Sequence, residues 1–130
     1  MEDEILALTL GGLKALTFDT GGTILDWHTG FSTAFAIAGG KYGLNRNWAE
    51  LANELRRRSL GLSINMGAYT APKHNHDNSH RMALEEIITE NGLDALTPDD
   101  RRSIWGNAPH ALEVWPDFPT VLPILRENYI

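Results

Sequence analysis

Cysteine is missing from the 130-residue chain, so it can form neither a disulfide framework nor a thiolate metal site. Any metal would need oxygen or imidazole ligands. Long apolar runs are missing too: Gly, Lys or Asp interrupts each one far short of the ~20 residues a membrane-spanning helix requires. Positive charge is scarce, with 11 Lys and Arg against 17 Asp and Glu and a formal net charge of -6, which argues against binding a phosphate backbone. The opening Met1-Glu2-Asp3-Glu4 places acid where a secretory leader places base. There is no internal repeat or low-complexity tract. These absences lead us to expect a soluble cytoplasmic protein that takes a small-molecule substrate and has no nucleic-acid or membrane partner.

What is present is enough apolar material, 42% of the residues, to bury one core of ordinary size. Ile5 to Leu10 is apolar and broken by Gly11-Gly12, which fits a short helix or a lead-in. Leu13 to Asp19 reads as a buried strand, because Leu16, Thr17 and Phe18 suit a strand and a glycine-rich turn stops the run. Asp19 then sits at the carboxyl end of that strand, the end that faces the ligand crevice in open α/β sheets.

From Thr29 the pattern becomes helical, with Phe31, Ala34, Phe35 and Ala38 on one face until Gly39-Gly40 weakens it. Asn47 and Glu50 form a capping-box-like pair that opens a second helix through Arg56-Arg57-Arg58. Gly67 to Asn78 carries Pro72 without periodicity and reads as a loop, with Asn78 or Ser79 capping the next helix, which stops near Asn91-Gly92. Thr97-Pro98-Asp99-Asp100 supplies a cap, a proline at the first helical position and two acids at the positive end of the helix dipole. A last helix is expected over Pro119 to Asn128. One strand among about five helices is a lopsided inventory, since a strand cannot satisfy its backbone groups without neighbours. Open strand edges favour pairing with another copy, so a homo-oligomer is expected.

The stretch Leu16-Thr17-Phe18-Asp19-Thr20-Gly21-Gly22-Thr23-Ile24-Leu25-Asp26-Trp27 resembles the first motif of the haloacid dehalogenase superfamily, nearest to its 2-haloacid dehalogenase branch. Ala111-Leu112-Glu113-Val114-Trp115-Pro116-Asp117, followed by Leu122 and Leu125, resembles that branch's return from the helical cap into the core. The resemblance runs from Leu13 to Ile130. It implies an α/β protein with a Rossmann-like core, of which only the first strand region is present, and an α-helical cap that makes this chain mostly helical. The implied division is 1–27 for the strand and nucleophile loop, 28–114 for the cap and 115–130 for the return. The family's later Ser or Thr, Lys and acidic motifs do not follow, so the sequence is similar to the first half of such an enzyme.

A carboxylate attacks carbon well when it is ionised, partly desolvated and aimed. Gly21 and Gly22 let the backbone approach an anion and take positive φ, backbone amides from Thr20 to Thr23 can aim the acid, and the Thr23 hydroxyl can orient Asp19. The resemblance makes Asp19 the catalytic nucleophile, which displaces halide from the carbon beside a carboxylate and forms an ester that water hydrolyses, with no cofactor. It assigns Thr20, Gly21 and Thr23 to the substrate shell, together with a cap arginine, best matched by Arg56 with Arg57 next, and His110. Consecutive helical positions point about 100° apart, so only one or two of the three arginines can share a direction.

Phosphatase-type members carry an acid two residues after the nucleophile. Gly21 has no proton to give a leaving alkoxide, which favours a halide, a leaving group that needs none. Dehalogenases usually have an aromatic residue there, so Gly21 departs from both patterns. The alternatives are a non-catalytic or oligomerising remnant and a magnesium-dependent phosphatase. His76 and His80 in His74-Asn75-His76-Asp77-Asn78-Ser79-His80 would lie one turn apart in a helix, a spacing able to bind zinc or nickel. No third ligand follows, so a polar surface turn and no metal are expected. Trp27, Trp105 and Trp115 are assigned to packing between cap and core, and Asp26 to the turn of the motif.

Overall fold

The computed structural model describes residues 12–65 and 75–130. The chain divides into two compact units, Trp27–Glu113 and a second made of Met1–Asp26 with Val114–Ile130. The lead-in expected over Ile5 to Leu10 and the loop around Pro72 lie outside the described residues.

Trp27–Glu113 is helical. Helix α1 (Trp27–Gly40) buries Phe31, Phe35, Ala38 and Gly39, the face set by the 3.6-residue period. It begins two residues before the expected Thr29 and runs through both glycines. Gly39 serves packing: a Cβ there would collide with the Trp48 ring. Gly43, at φ 65, turns the chain. Helix α2 (Trp48–Asn65) buries Leu51, Ala52, Leu55 and Ser59, and the Asn47 side chain accepts the Glu50 N–H at 3.2 Å, as the sequence indicated.

Helix α3 (His76–Asn91) buries Ser79, His80, Ala83, Leu84, Ile87 and Ile88. Gly92 ends it at φ 61, with its N–H on the Ile88 carbonyl. Its start corrects the sequence reading: the cap is Asn75, which accepts the Asn78 N–H at 2.8 Å, so the histidine segment from His76 onward is helix rather than a surface turn. Helix α4 (Pro98–Arg102) carries the capping box in full, Thr97 and Asp100 each bonding the other's backbone N–H. A π-turn over Ser103–Asn107 and a 3-10 turn over Ala108–His110 follow.

The core of this unit is Phe31, Phe35, Leu51, Leu55, Leu84, Ile87, Ile88, Leu93, Leu96 and Ile104 with the alanines between them. Burying each large side chain contributes roughly 1.5–3 kcal/mol. Arg58 ties α2 to α3 through Glu86 at 3.3 Å and Glu90 at 2.6 Å. Asp100, 3% exposed, receives Lys41 Nζ and the Tyr42 hydroxyl, each at 2.6 Å. Those donors and Thr97 hold its carboxyl well below the usual carboxylate range.

The other unit contains helix α5 (Asp117–Arg126), which buries none of its residues and holds Pro123 inside it. The helix starts two residues before the expected Pro119. The strand expected over Leu13–Asp19 is not formed: among the described residues the only bridges are isolated, Gly21 with Leu25 and Leu25 with Val114. The reason is pairing. A strand needs a ladder of neighbours, and among the described residues this segment exchanges just two backbone bonds with one residue, Ile130 N–H to Lys14 O at 2.9 Å and Leu16 N–H to Ile130 O at 3.4 Å. Phe18 meets Phe118 edge to face at 5.7 Å. The described residues are therefore mostly helical, and no helix among them is long and apolar enough to cross a membrane.

Candidate functional site

The turn after Asp19 is closed by its own backbone. The Thr20 carbonyl accepts the N–H groups of Ile24 at 3.0 Å and Leu25 at 3.1 Å, and the Gly22 N–H donates to Leu25 O at 3.0 Å. Gly22 sits at φ 97, a conformation that glycine takes without penalty, whereas Gly21 does not adopt positive φ. The expectation of positive φ thus holds for the second glycine of the pair only. With its N–H on Leu25, Gly22 does not aim the acid by its amide. The Thr23 hydroxyl does so, donating to Asp19 Oδ2 at 2.7 Å. Asp19 is exposed, and among the described residues no other group bonds its carboxylate, so Oδ1 remains open. The residues before it, 13–18, are not helical.

Two further bonds reach this turn from Trp115. Its backbone N–H donates to Ile24 O at 2.8 Å and its indole Nε1–H to Gly22 O at 2.9 Å. Sequence reading assigned Trp115 to packing and missed both. The one local signal was the Trp115-Pro116-Asp117 echo, because a hydrogen bond spanning 93 positions leaves no mark in local pattern.

In the helical unit the three arginines have different partners. Arg57 forks onto Glu54 at 3.2 and 2.6 Å. Arg58 bonds Glu54, Glu86 and Glu90, and Arg57 and Arg58 together lower the Glu54 carboxyl to about 2. Arg56 meets no carboxylate among the described residues; its guanidinium lies 5.5 Å above the Trp27 ring, a cation–π contact that leaves its N–H groups available. Arg56 is thus the arginine of the run with no carboxylate partner among the described residues.

The histidines also differ from one another. His110 pairs with Asp77 at 2.8 Å and is largely exposed. His76 and His80 lie one turn apart on α3, yet no group of three potential metal ligands occurs among the described residues. His80 is buried against Phe31, ring centroids 5.3 Å apart. Its Nδ1 has no partner among the described residues. Burial, then repulsion from His76 and Arg56, lowers its imidazole to about 4. Asp19, Thr20, Gly21 and Thr23 therefore belong to one unit, and Arg56 and His110 to the other.

The chain is similar to solved structures of haloacid dehalogenases of the 2-haloacid branch. Two solved structures make the likeness particular. The defluorinating L-2-haloacid dehalogenase Rha0230 superposes with a TM-score of 0.74 at 29% identity over 91% of this chain. The L-2-haloacid dehalogenase PA0810 does so with a TM-score of 0.73, also at 29% identity and over 91% of this chain. In each case the chain spans about half of the solved one, 49%. No protein-family profile matches, and no curated protein does.

Proposed function

We propose that this chain carries the nucleophile of a hydrolase of haloacid dehalogenase type acting on a small 2-haloacid. The observation that carries the reading is the Asp19 carboxylate, exposed, tethered at Oδ2 by Thr23 and open at Oδ1. In the reaction, Oδ1 attacks the carbon bearing the halogen, a new C–O bond forms as the C–halogen bond breaks, and halide leaves with the bonding pair. Water then attacks the aspartyl ester carbonyl, releasing a 2-hydroxy acid and a proton and restoring the carboxylate. Thr23 holds Oδ2 and so orients the acid, and Gly21 adds no proton donor, which a halide does not require. Arg56, half-buried and without a carboxylate partner among the described residues, is assigned to the substrate carboxylate or the departing halide. The resemblance also assigns Thr20 and His110 to the substrate shell. No metal or other cofactor takes part in these steps.

The test is made on the gene product with 2-chloropropionate. Halide release should be lost in Asp19→Asn, and a single turnover in ¹⁸O-water should place the label on Asp19 rather than on the hydroxy acid. Label appearing first in the product would mean that water attacks carbon directly, and the assignment of the nucleophile would fall. Arg56→Ala should raise the half-saturating substrate concentration at least tenfold while Arg57→Ala leaves it within twofold; equal effects would remove the special role of Arg56.

A further inference from the structure

We propose that Trp115 is a positioning residue for Asp19, acting through Thr23, a role that rests on Asp19 being the nucleophile. The two bonds from Trp115 land on the carbonyls of Gly22 and Ile24, the residues on either side of Thr23. The Gly22 carbonyl belongs to the peptide plane that carries the Thr23 N–H, and the Ile24 carbonyl belongs to the plane two further on, which carries the Leu25 N–H. Pinning both planes brackets the Thr23–Ile24 peptide and limits how far the Thr23 backbone can turn, because a peptide chain bends only at its φ and ψ angles. That in turn sets the direction of the hydroxyl that holds Asp19 Oδ2 at 2.7 Å.

The turn needs such a clamp for a reason visible in its composition. Thr23 is exposed and Gly22, at φ 97, is the residue type with the widest backbone freedom. The internal bonds of the turn run from Ile24 and Leu25 to Thr20 and from Gly22 to Leu25, so none of them engages the Gly22 or Ile24 carbonyl. Trp115 satisfies both. Packing alone would ask only for an aromatic ring, whereas this arrangement uses the indole N–H, which phenylalanine and leucine lack.

The decisive replacement therefore keeps the ring and removes the donor. Trp115→Phe does this with a smaller ring, and incorporation of benzothienylalanine at position 115 does it at nearly unchanged shape, which protects the test against misfolding. Three measurements follow on the intact chain. Exchange of the Ile24 and Leu25 amides should quicken about fivefold on loss of one hydrogen bond. The ¹³C carboxyl resonance of Asp19 should move from its parental position toward that of Thr23→Val. The maximal rate of ester formation on Asp19, followed by mass spectrometry with 2-chloropropionate, should fall about fivefold or more at an unchanged half-saturating concentration, and adding Thr23→Val should lower it no further than that change does alone.

An Asp19 carboxyl resonance left at the parental position by benzothienylalanine would overturn the proposal, whatever the exchange rates. If the parent forms no ester on Asp19, the functional reading fails by itself, while the exchange and carboxyl measurements still decide whether Trp115 positions the acid through Thr23.

Discussion

The two units of this chain are held together by different means. Trp27–Glu113 has an apolar interior in which Phe35, Leu55, Leu84 and Ile87 are wholly buried. In the other unit α5 buries nothing, and Leu13, Phe18, Val114, Trp115, Val121 and Ile124 stay exposed. What its described residues show is a web of hydrogen bonds around 20–25 and the contact of Phe18 with Phe118. Burial scales with area and is forgiving of small errors in direction, whereas a hydrogen bond fixes direction at a modest net contribution of about 1 kcal/mol. Among the described residues, burial therefore predominates in the unit carrying Arg56 and directed hydrogen bonds in the unit carrying Asp19.

The sharpest way to break this contrast is a pair of truncations. Leu55→Ala should destabilise the helical unit by about 2–5 kcal/mol through lost burial and the cavity left behind. Phe118→Ala, removing the edge-to-face partner of Phe18, should cost about 1 kcal/mol or less. Urea unfolding followed by helical circular dichroism measures both; comparable losses would mean that the two units share one cooperative core. Next in size is Gly39→Ala. The added methyl collides with the Trp48 ring, and overpacking of this kind costs about 1–3 kcal/mol, visible as a lower urea midpoint and altered tryptophan fluorescence. An unchanged midpoint would show that Trp48 is free to shift.

How much of this was readable beforehand follows the range of each interaction. The Thr97 to Asp100 box, the Gly92 stop and the Asn47 cap were legible because each is completed within four residues. The start of α3 was misplaced because Asn75, Asn78 and Ser79 are all competent caps, and sequence does not rank them. The strand over Leu13–Asp19 failed because apolar, β-favouring residues supply propensity but not a neighbour, and the described residues offer only Ile130. Asp19 and Thr23 were legible as a pair at a spacing of four. That Arg56 is the uncommitted arginine was half legible: the 100° step showed that the three must diverge, but the positions of Glu86 and Glu90 opposite Arg58 depend on helix packing. Gly39 as a seat for Trp48 left no local trace, and Trp115 as a clamp left none beyond the Trp115-Pro116-Asp117 echo.

The third prediction concerns pH and the buried imidazole. His80 titrates near 6.5 when unfolded and at about 4 in the fold. Between those values the unfolded chain binds the extra proton, so stability is complete above about pH 6.5 and falls as pH drops toward 4. The loss is on the order of 2 kcal/mol for a shift of this size on a group near Arg56 and His76. The Asp100 cluster adds its own loss only at still lower pH, because its carboxyl is depressed and stays ionised through this window. Urea midpoints taken from pH 7.5 to 4 should decline for the parent and flatten for His80→Leu. An equal slope in both would assign the acid sensitivity to other groups.

The smallest effect separates the two committed arginines. Arg58 has a side chain 20% exposed and contacts carboxylates on both α2 and α3, whereas Arg57 is 68% exposed and among the described residues meets only Glu54, three residues away on its own helix. Ion pairs held in a partly buried network contribute more than isolated surface pairs, and both weaken with salt. Arg58→Ala should therefore lower stability by about 1 kcal/mol at low ionic strength, an effect that shrinks at 1 M salt. Arg57→Ala should move the urea midpoint barely at all. If the two variants were equally stable at low salt, the bridge from α2 to α3 would contribute nothing, and the helical unit would stand on its apolar core alone.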